Sequence, residues 1–192
     1  LKTSGATFSV IDREEILSKI RTIKADVNGK LPPIHLIHGD FTDVQMNELY
    51  NHPKVKGHIS FTHGEGFGRP LLEAAQSGKP IIASGWSGQV DFLNPNYSVL
   101  LDGSLTKVPP NAFPKEIYVE GSQWFTVNYQ HASSAMVEVF TNYQNYLVKA
   151  KQLEAFTKQQ FSYEKMRDKL NQIIEPLLDS VPQQVELKLP KL

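Results

Sequence analysis

Two glutamates, Glu65 and Glu73, stand eight positions apart in the stretch HGEGFGRPLLEAAQSGKPIIAS, His63 to Ser84. The first sits among glycines, in Gly64-Glu65-Gly66-Phe67-Gly68. Glycines let a backbone approach a ligand closely and take positive φ. The free amides that open a helix face an incoming anion, and the helix dipole favours its charge. Such a loop suits a phosphate or a dense set of hydroxyls. A carboxylate would repel a phosphate, so Glu65 suits another part of the ligand, a sugar hydroxyl or developing positive charge. Glu73 reads as an acid in the first turn of the helix after Pro70, where the dipole favours it, and it suits hydrogen bonds from a vicinal diol such as a ribose presents. Taken singly, each has a plainer reading: Glu65 as an exposed loop residue, Glu73 as a helix-stabilising acid. The two together, in a glycine frame between strands, favour a site.

The elements that must position this pair alternate between strand and helix. LKTS (Leu1 to Ser4) reads as a strand end. Asp12 to Lys24 carries Ile16, Leu17, Ile20 and Ile23 at helical spacing, with acids early and bases late. Ile34 to Gly39 reads as a strand after Pro32-Pro33, and Asp43 to Tyr50 as a helix capped by Thr42 or Asp43. Gly57 to Thr62 is the strand that feeds the glycine loop. Pro70 to Ser77 is the helix that leaves it, with Pro at the start and Gly78 at the end. Pro80 to Ser84 and Tyr97 to Leu101 are further strands, and Ser87 caps a short helix through Leu93. This alternation predicts an α/β fold with a parallel sheet. Asp102 to Val127, rich in Pro, Gly and Ser, reads as a long surface connection. Ala132 to Gln159 reads as one helix, and a second starts at its N-cap Ser162 and runs into Pro176. Val181 to Leu192 reads as an extended tail.

The chain has 192 residues, enough for one domain with a core of its own. Lys+Arg and Asp+Glu both total 20, so bulk charge gives no reason to expect a nucleic-acid or membrane surface. With no cysteine there is no disulfide scaffold, no Cys-based zinc site and no Cys nucleophile. No apolar run reaches the length of a transmembrane helix and no signal peptide is visible, so a cytoplasmic location is expected. The chain opens on Leu1 within what reads as a strand end, which suggests a piece of a longer polypeptide.

The glycine segment resembles the E-x7-E signature of retaining GT-B glycosyltransferases, in particular family 4 (group 1), whose pattern runs E-G-F-G-x-P-x-x-E-A-x-x-x-G-x-P-V-I-A. Here Glu65, Gly66, Phe67, Gly68, Pro70, Glu73, Ala74, Gly78 and Pro80 match. HGDFTDVQMNELY (His38 to Tyr50), IASGWSGQVDFL (Ile82 to Leu93) and QQFSYEKMRDKLNQII (Gln159 to Ile174) are similar to the segments before and after that signature. The resemblance spans nearly the whole chain, more weakly over Asp102 to Tyr129.

The resemblance implies a Rossmann-like parallel sheet with helices on both faces, one half of a GT-B fold, and a helical carboxyl-terminal end. It implies that residues 1–180 are the nucleotide-sugar (donor) domain, lacking a first strand. On this reading Glu65 supports an oxocarbenium-like transition state beside the transferred sugar, and Glu73 binds the ribose. Gly64 and the amides of Gly66, Phe67 and Gly68 contact sugar and diphosphate. Gly39, Asp40, Phe41 and Thr42 lie by the base through backbone contacts. The reaction implied is transfer of a hexose-type sugar with retained configuration to a glycan, lipid or protein acceptor. It needs no metal and no further cofactor, and an amino-terminal acceptor domain is missing. No R-x-x-x-x-K element grips the diphosphate, and Lys2 is a poor substitute. Arg69 stands where many members have an apolar residue, within reach of a diphosphate or acceptor, or simply on the surface. A non-catalytic nucleotide-sugar-binding or scaffolding module is the alternative, with an epimerase or phosphorylase-like enzyme ranked behind it.

Other residues invite a role. His63 either touches the donor sugar or shapes the turn. Trp86 either stacks on a ligand or plugs a domain interface. His35 and His38 are three apart on a strand and point to opposite faces, a poor metal pair. Phe140, Tyr143, Tyr146 and Phe156 have helical spacing and read as core. Lys149, Lys151 and Lys158 read as a solvated face.

Overall fold

A computed structural model describes residues 1–3, 9–110, 112 and 119–178. The expected tail lies outside the described residues, as does Ser4. The chain divides into two units, Leu1–Leu49 and Tyr50–Leu192.

The first unit is a βαβ arrangement. Strands β1 (Lys2–Thr3) and β2 (Ile37–His38) pair in parallel, and helix α1 (Val10–Asp26) lies between them in sequence. Ser9 caps α1 by accepting the Asp12 amide at 3.1 Å, so the helix starts two residues before its expected first acid. No side chain of α1 is buried. Helix α2 (Asp43–Asn51) starts from a capping box. The Thr42 hydroxyl accepts the Gln45 amide at 3.3 Å, and the Gln45 side-chain oxygen accepts the Thr42 amide at 2.9 Å. Of the two caps the sequence offers, Thr42 is the one used.

The second unit holds the core. Strands β3 (His58–Ser60), β4 (Ile81–Ser84) and β5 (Val99–Leu101) form a parallel sheet in that order. All four residues of β4 are buried. Successive strand residues face opposite ways, so both faces of the central strand are covered, as its unbroken apolar run requires. Helix α3 (Arg69–Ala75) packs on β3 and β4. Gly78 follows it at φ +65°, where a Cβ would run into Lys151 and Glu154 of helix α5 (Tyr143–Gln160).

Three expectations are corrected here. The stretch Asp102 to Val127 is no plain connection, because strands β6 (Gly103–Lys107) and β7 (Gln123–Val127) pair antiparallel within it. Phe125 and Val127 of β7 join Ile82, Leu101, Ala132, Ala135 and Val139 in one core cluster. Burying these side chains outweighs the Pro and Gly content that signals a loop. Next, the single long helix is two, α4 (Tyr129–Thr141) and α5, broken at Asn142. Asn142 leaves helical geometry and caps α4 by donating its amide to the Glu138 carbonyl, the local competition that makes Asn a poor interior helix residue. Finally, Phe140 is 86% exposed. The buried stripe of α4 runs Ala132, Ala135, Val139, and Phe140 lies one step round from it, while Tyr146 packs against the core and Tyr143 and Phe156 are half-buried.

Helix α6 (Tyr163–Leu178) starts at its expected cap, the Ser162 hydroxyl accepting the Lys165 amide at 3.2 Å, and continues two residues past Pro176. The lysine face of α5 is more than solvated. Lys151 and Lys158 both donate to Glu154, at 2.7 and 2.6 Å, and its side chain is 19% exposed. Burial pushes the Glu154 carboxyl up, but the two ammonium partners outweigh it and hold the group below its ordinary value.

Candidate functional site

The glycine loop leaves the carboxyl end of β3 and the segment Gly85–Gln89 leaves the carboxyl end of β4, which is where open parallel sheets bind ligands. The two segments are joined. The Ser87 hydroxyl donates to the Glu65 carbonyl at 2.6 Å and accepts the Glu65 amide at 3.2 Å, and the Gly88 amide reaches the same carbonyl at 3.0 Å. A Cβ on Gly88 would collide with the Gly66 carbonyl and the Phe67 Cα. Gly68 takes φ +88°, and a Cβ there would stand 3.2 Å from Gln89.

Side chains hold the loop from a second side. Phe67 packs with Phe92 and with Phe161, the residue before Ser162, at centroid distances of 5.3 and 6.0 Å. One side of its ring is therefore an anchor, although Phe67 stays partly exposed. The amides of Gly66, Phe67 and Gly68 have no partner among the described residues. The helix start offers less than expected. The Leu71 and Leu72 amides already bond the Gly68 carbonyl, at 2.9 and 3.1 Å, and Pro70 has no N–H. Among the described residues the unpartnered amides here are those of the loop, Gly66, Phe67 and Gly68.

Beneath the loop lies a buried polar seam. Ser84 donates to the Thr62 carbonyl at 2.9 Å, and the Gln89 amide donates to the carbonyl and hydroxyl of Ser84 at 3.0 and 2.8 Å. Gln89 Oε1 and Thr62 Oγ1 are buried with no partner among the described residues.

Glu73 requires a correction. Helix α3 starts at Arg69, so Glu73 is its fifth residue, and the first turn holds no acid. The dipole is not what holds the carboxylate. Arg69 Nε donates to it at 2.6 Å, and the Tyr50 phenol hydrogen-bonds it as well. Burial, the Glu73 charge and that hydrogen bond push the Tyr50 phenol up to about 12. Tyr50 meets His58 edge-on at 5.2 Å. Burial and the neighbouring Lys79 charge push His58 down to about 4, against a hydrogen bond to the Tyr50 backbone. Lys79 caps the end of α2, donating to the Tyr50 and His52 carbonyls at 2.5 and 2.7 Å.

In the first unit, Gly39 follows β2 at φ +131°. Its carbonyl accepts Lys2 Nζ at 2.8 Å, and the same ammonium lies 5.0 Å over the Phe41 ring. Lys2 thus shapes the Gly39–Thr42 turn. The Thr42 amide is spent on the capping box, whereas the backbones of Asp40 and Phe41 have no partner among the described residues. His38 pairs with Thr3 at 3.0 Å through Nδ1.

His63 is fixed on both its edge and its face. Nδ1 donates to the Phe125 carbonyl at 2.7 Å, since a carbonyl only accepts, and the ring stacks on Trp124 at 3.8 Å. Trp86 stacks on Phe125 at 5.6 Å. The hairpin β6–β7 thus walls the loop with aromatics. A shallow depression of about 340 Å³ lies on the hairpin, lined by Asp102, Gly103, Ser104, Thr106, Thr126, Val127 and Asn128, and includes no residue of the glycine loop. Among the described residues no group of His, Asp and Glu is placed to hold a metal ion, and no helix is long and apolar enough to cross a membrane.

Sequence reasoning missed Tyr50, Gln89 and the hairpin aromatics as parts of this constellation, and it read Ser87 only as a cap. Ser87 makes no side-chain cap bond to the 3-10 helix Gly88–Asp91. The run Gln-Trp-Phe-Thr-Val, rich in strand formers, is the signal that would have found β7. Comparison with protein-family models, with curated proteins and with solved structures returned no match.

Proposed function

We propose that this chain carries the donor-binding half of a retaining glycosyltransferase, and that its glycine loop holds a nucleotide-diphosphate sugar. The observation that carries the reading is the meeting of two loops at the carboxyl ends of β3 and β4, which fixes the backbone of Glu65 and leaves the amides of Gly66, Phe67 and Gly68 without a partner among the described residues. Free amides suit diphosphate and sugar oxygens, and they act without a basic side chain. Glu65 serves the sugar, where positive charge develops in transfer. Glu73 serves the ribose hydroxyls. Arg69, exposed over 72% of its side chain, pairs with the Glu73 carboxylate.

The Arg69–Glu73 pair also favours a second reading, a module that binds a nucleotide sugar without transferring it, because the pair leaves Glu73 already satisfied. Ligand-observed NMR with UDP, GDP and ADP and their hexose conjugates tests both. A base-selective signal that Glu73→Ala weakens by one to two decades is the expected result, the loss of a charged hydrogen-bond partner being worth about 1.5–3 kcal/mol. No signal from any nucleotide with a folded chain would sink the reading. Binding without release or transfer of the sugar, in the presence of candidate acceptors, would select the non-catalytic module.

A further inference from the structure

Ser87 is the single non-glycine residue with positive φ among the described residues, at φ 73° and ψ −161°. This region of backbone space is close to glycine-only, and residues persist there only where their surroundings over-determine them, commonly at functional sites. A glycine at position 87 would adopt the geometry without strain, yet the chain has a hydroxyl there. That hydroxyl does two things at once, donating to the Glu65 carbonyl and accepting the Glu65 amide. The Gly88 amide adds a third bond to the same peptide. The whole backbone of Glu65 is thereby held, although the glycines on either side of it would otherwise leave it free to turn.

The neighbouring residues over-determine Ser87 as the strain requires. Gly85 is tied to the Leu101 carbonyl at 2.9 Å. Gln89 is fully buried and bonded to Ser84. The absence of a Cβ on Gly88 lets the backbone of Gly66 and Phe67 close over it. The turn is thus pinned at both ends, and Ser87 projects from it into the loop.

We infer that Ser87 is a positioning residue for Glu65, setting the direction of its carboxylate toward the sugar of the bound donor. The sugar part of this inference rests on the donor reading above. The clamp acts on the sugar end of the ligand and leaves the ribose to Glu73.

The test uses Ser87→Ala, which keeps the strain and removes the hydroxyl, and Ser87→Gly, which removes both. Two quantities are read by NMR: the exchange rate of the Glu65 amide, and the ratio of affinities for a nucleotide-diphosphate hexose and the matching free nucleoside diphosphate. The expected result in both variants is Glu65 amide exchange faster by about tenfold or more, as follows from opening a protecting bond. The sugar-dependent part of the affinity is expected to fall about tenfold, as for one or two lost hydrogen bonds, with affinity for the free diphosphate unchanged. Ser87→Gly is expected to melt no lower than Ser87→Ala, which keeps a well-folded variant in the comparison. Unchanged amide exchange would overturn the clamp. A parallel fall for both ligands would make Ser87 merely structural. A wild type that does not distinguish the hexose conjugate from the free diphosphate would overturn the donor reading and the sugar role with it. A wild type that distinguishes them, with both variants doing so equally, would overturn the inference about Ser87 alone.

Discussion

Among the described residues of Leu1–Leu49 none is buried, whereas Tyr50–Leu192 contains a core that runs through β4, β5, β7 and α4. Both units are built from the same kind of part, parallel strands with a helix between them in sequence. They differ in what covers the strands. Strand β4 has neighbours on both edges and side chains on both faces, while β1 and β2 are two-residue strands that, among the described residues, pair only with each other. A βαβ unit supplies one apolar face of a sheet and one stripe of a helix. Without further layers it buries little, and its opening free energy is correspondingly small. The glycine loop is pinned by three hydrogen bonds to the Glu65 backbone, two of them from the Ser87 hydroxyl, and by an aromatic cluster, and the turn Gly39–Thr42 by Lys2 and a capping box.

The sharpest way to break this contrast is a pair of truncations. Ile82→Ala, in the buried cluster, is expected to cost about 2–5 kcal/mol. Ile20→Ala, on a helix with no buried residue, should cost under about 1 kcal/mol, as surface changes do. Urea unfolding of both variants reads the difference, and equal costs would mean that the first unit has a core of its own.

A second test probes the floor of the second unit by pH. His58 is held near 4 by burial and the Lys79 charge, against 6.5 when free. The folded group stays neutral where the unfolded one takes a proton. Its contribution is therefore fully present above pH 6.5, falls as pH drops toward 4, and levels off below that. The loss amounts to at most about 3 kcal/mol. The urea midpoint of the wild type should fall across this window more steeply than that of His58→Gln. Parallel slopes would assign the acid sensitivity to other groups.

The smallest effect is expected in the first unit. Thr42→Ala removes the hydroxyl half of the capping box and should cost about 1 kcal/mol, seen as faster amide exchange at the start of α2 with the β4 amides unchanged. A loss of protection in β4 would show that the cap supports more than its own helix.

Much of this architecture was legible from local pattern. Ser162 and Thr42 as caps, Pro70 near the start of α3, Gly78 behind it and the buried run of β4 all follow from rules that operate within one turn or one strand. The readings that failed share a different property. Glu73 looked like a dipole-stabilised acid because the helix was started one residue late, and its true partners are Arg69 on the same helix and Tyr50 from another. Phe140 looked like core because its spacing was right, but the break at Asn142 and the stripe of smaller residues beside it left it outside. The hairpin was obscured by its Pro and Gly content, although the strand formers of β7 were in plain view.

What the sequence by itself determined is the alternation of parallel strands and helices, and a glycine loop with two carboxylates placed after a strand, because periodicity and caps are written into neighbouring residues. Only the tertiary structure decided that β7 shares a core cluster with Ile82 of β4, that Phe161 anchors Phe67, that Tyr50 and Arg69 share Glu73, and that a strained serine grips the backbone of Glu65. Each of these depends on residues from different segments meeting, and on the burial and hydrogen bonding that repay their ordering. No local pattern records that balance.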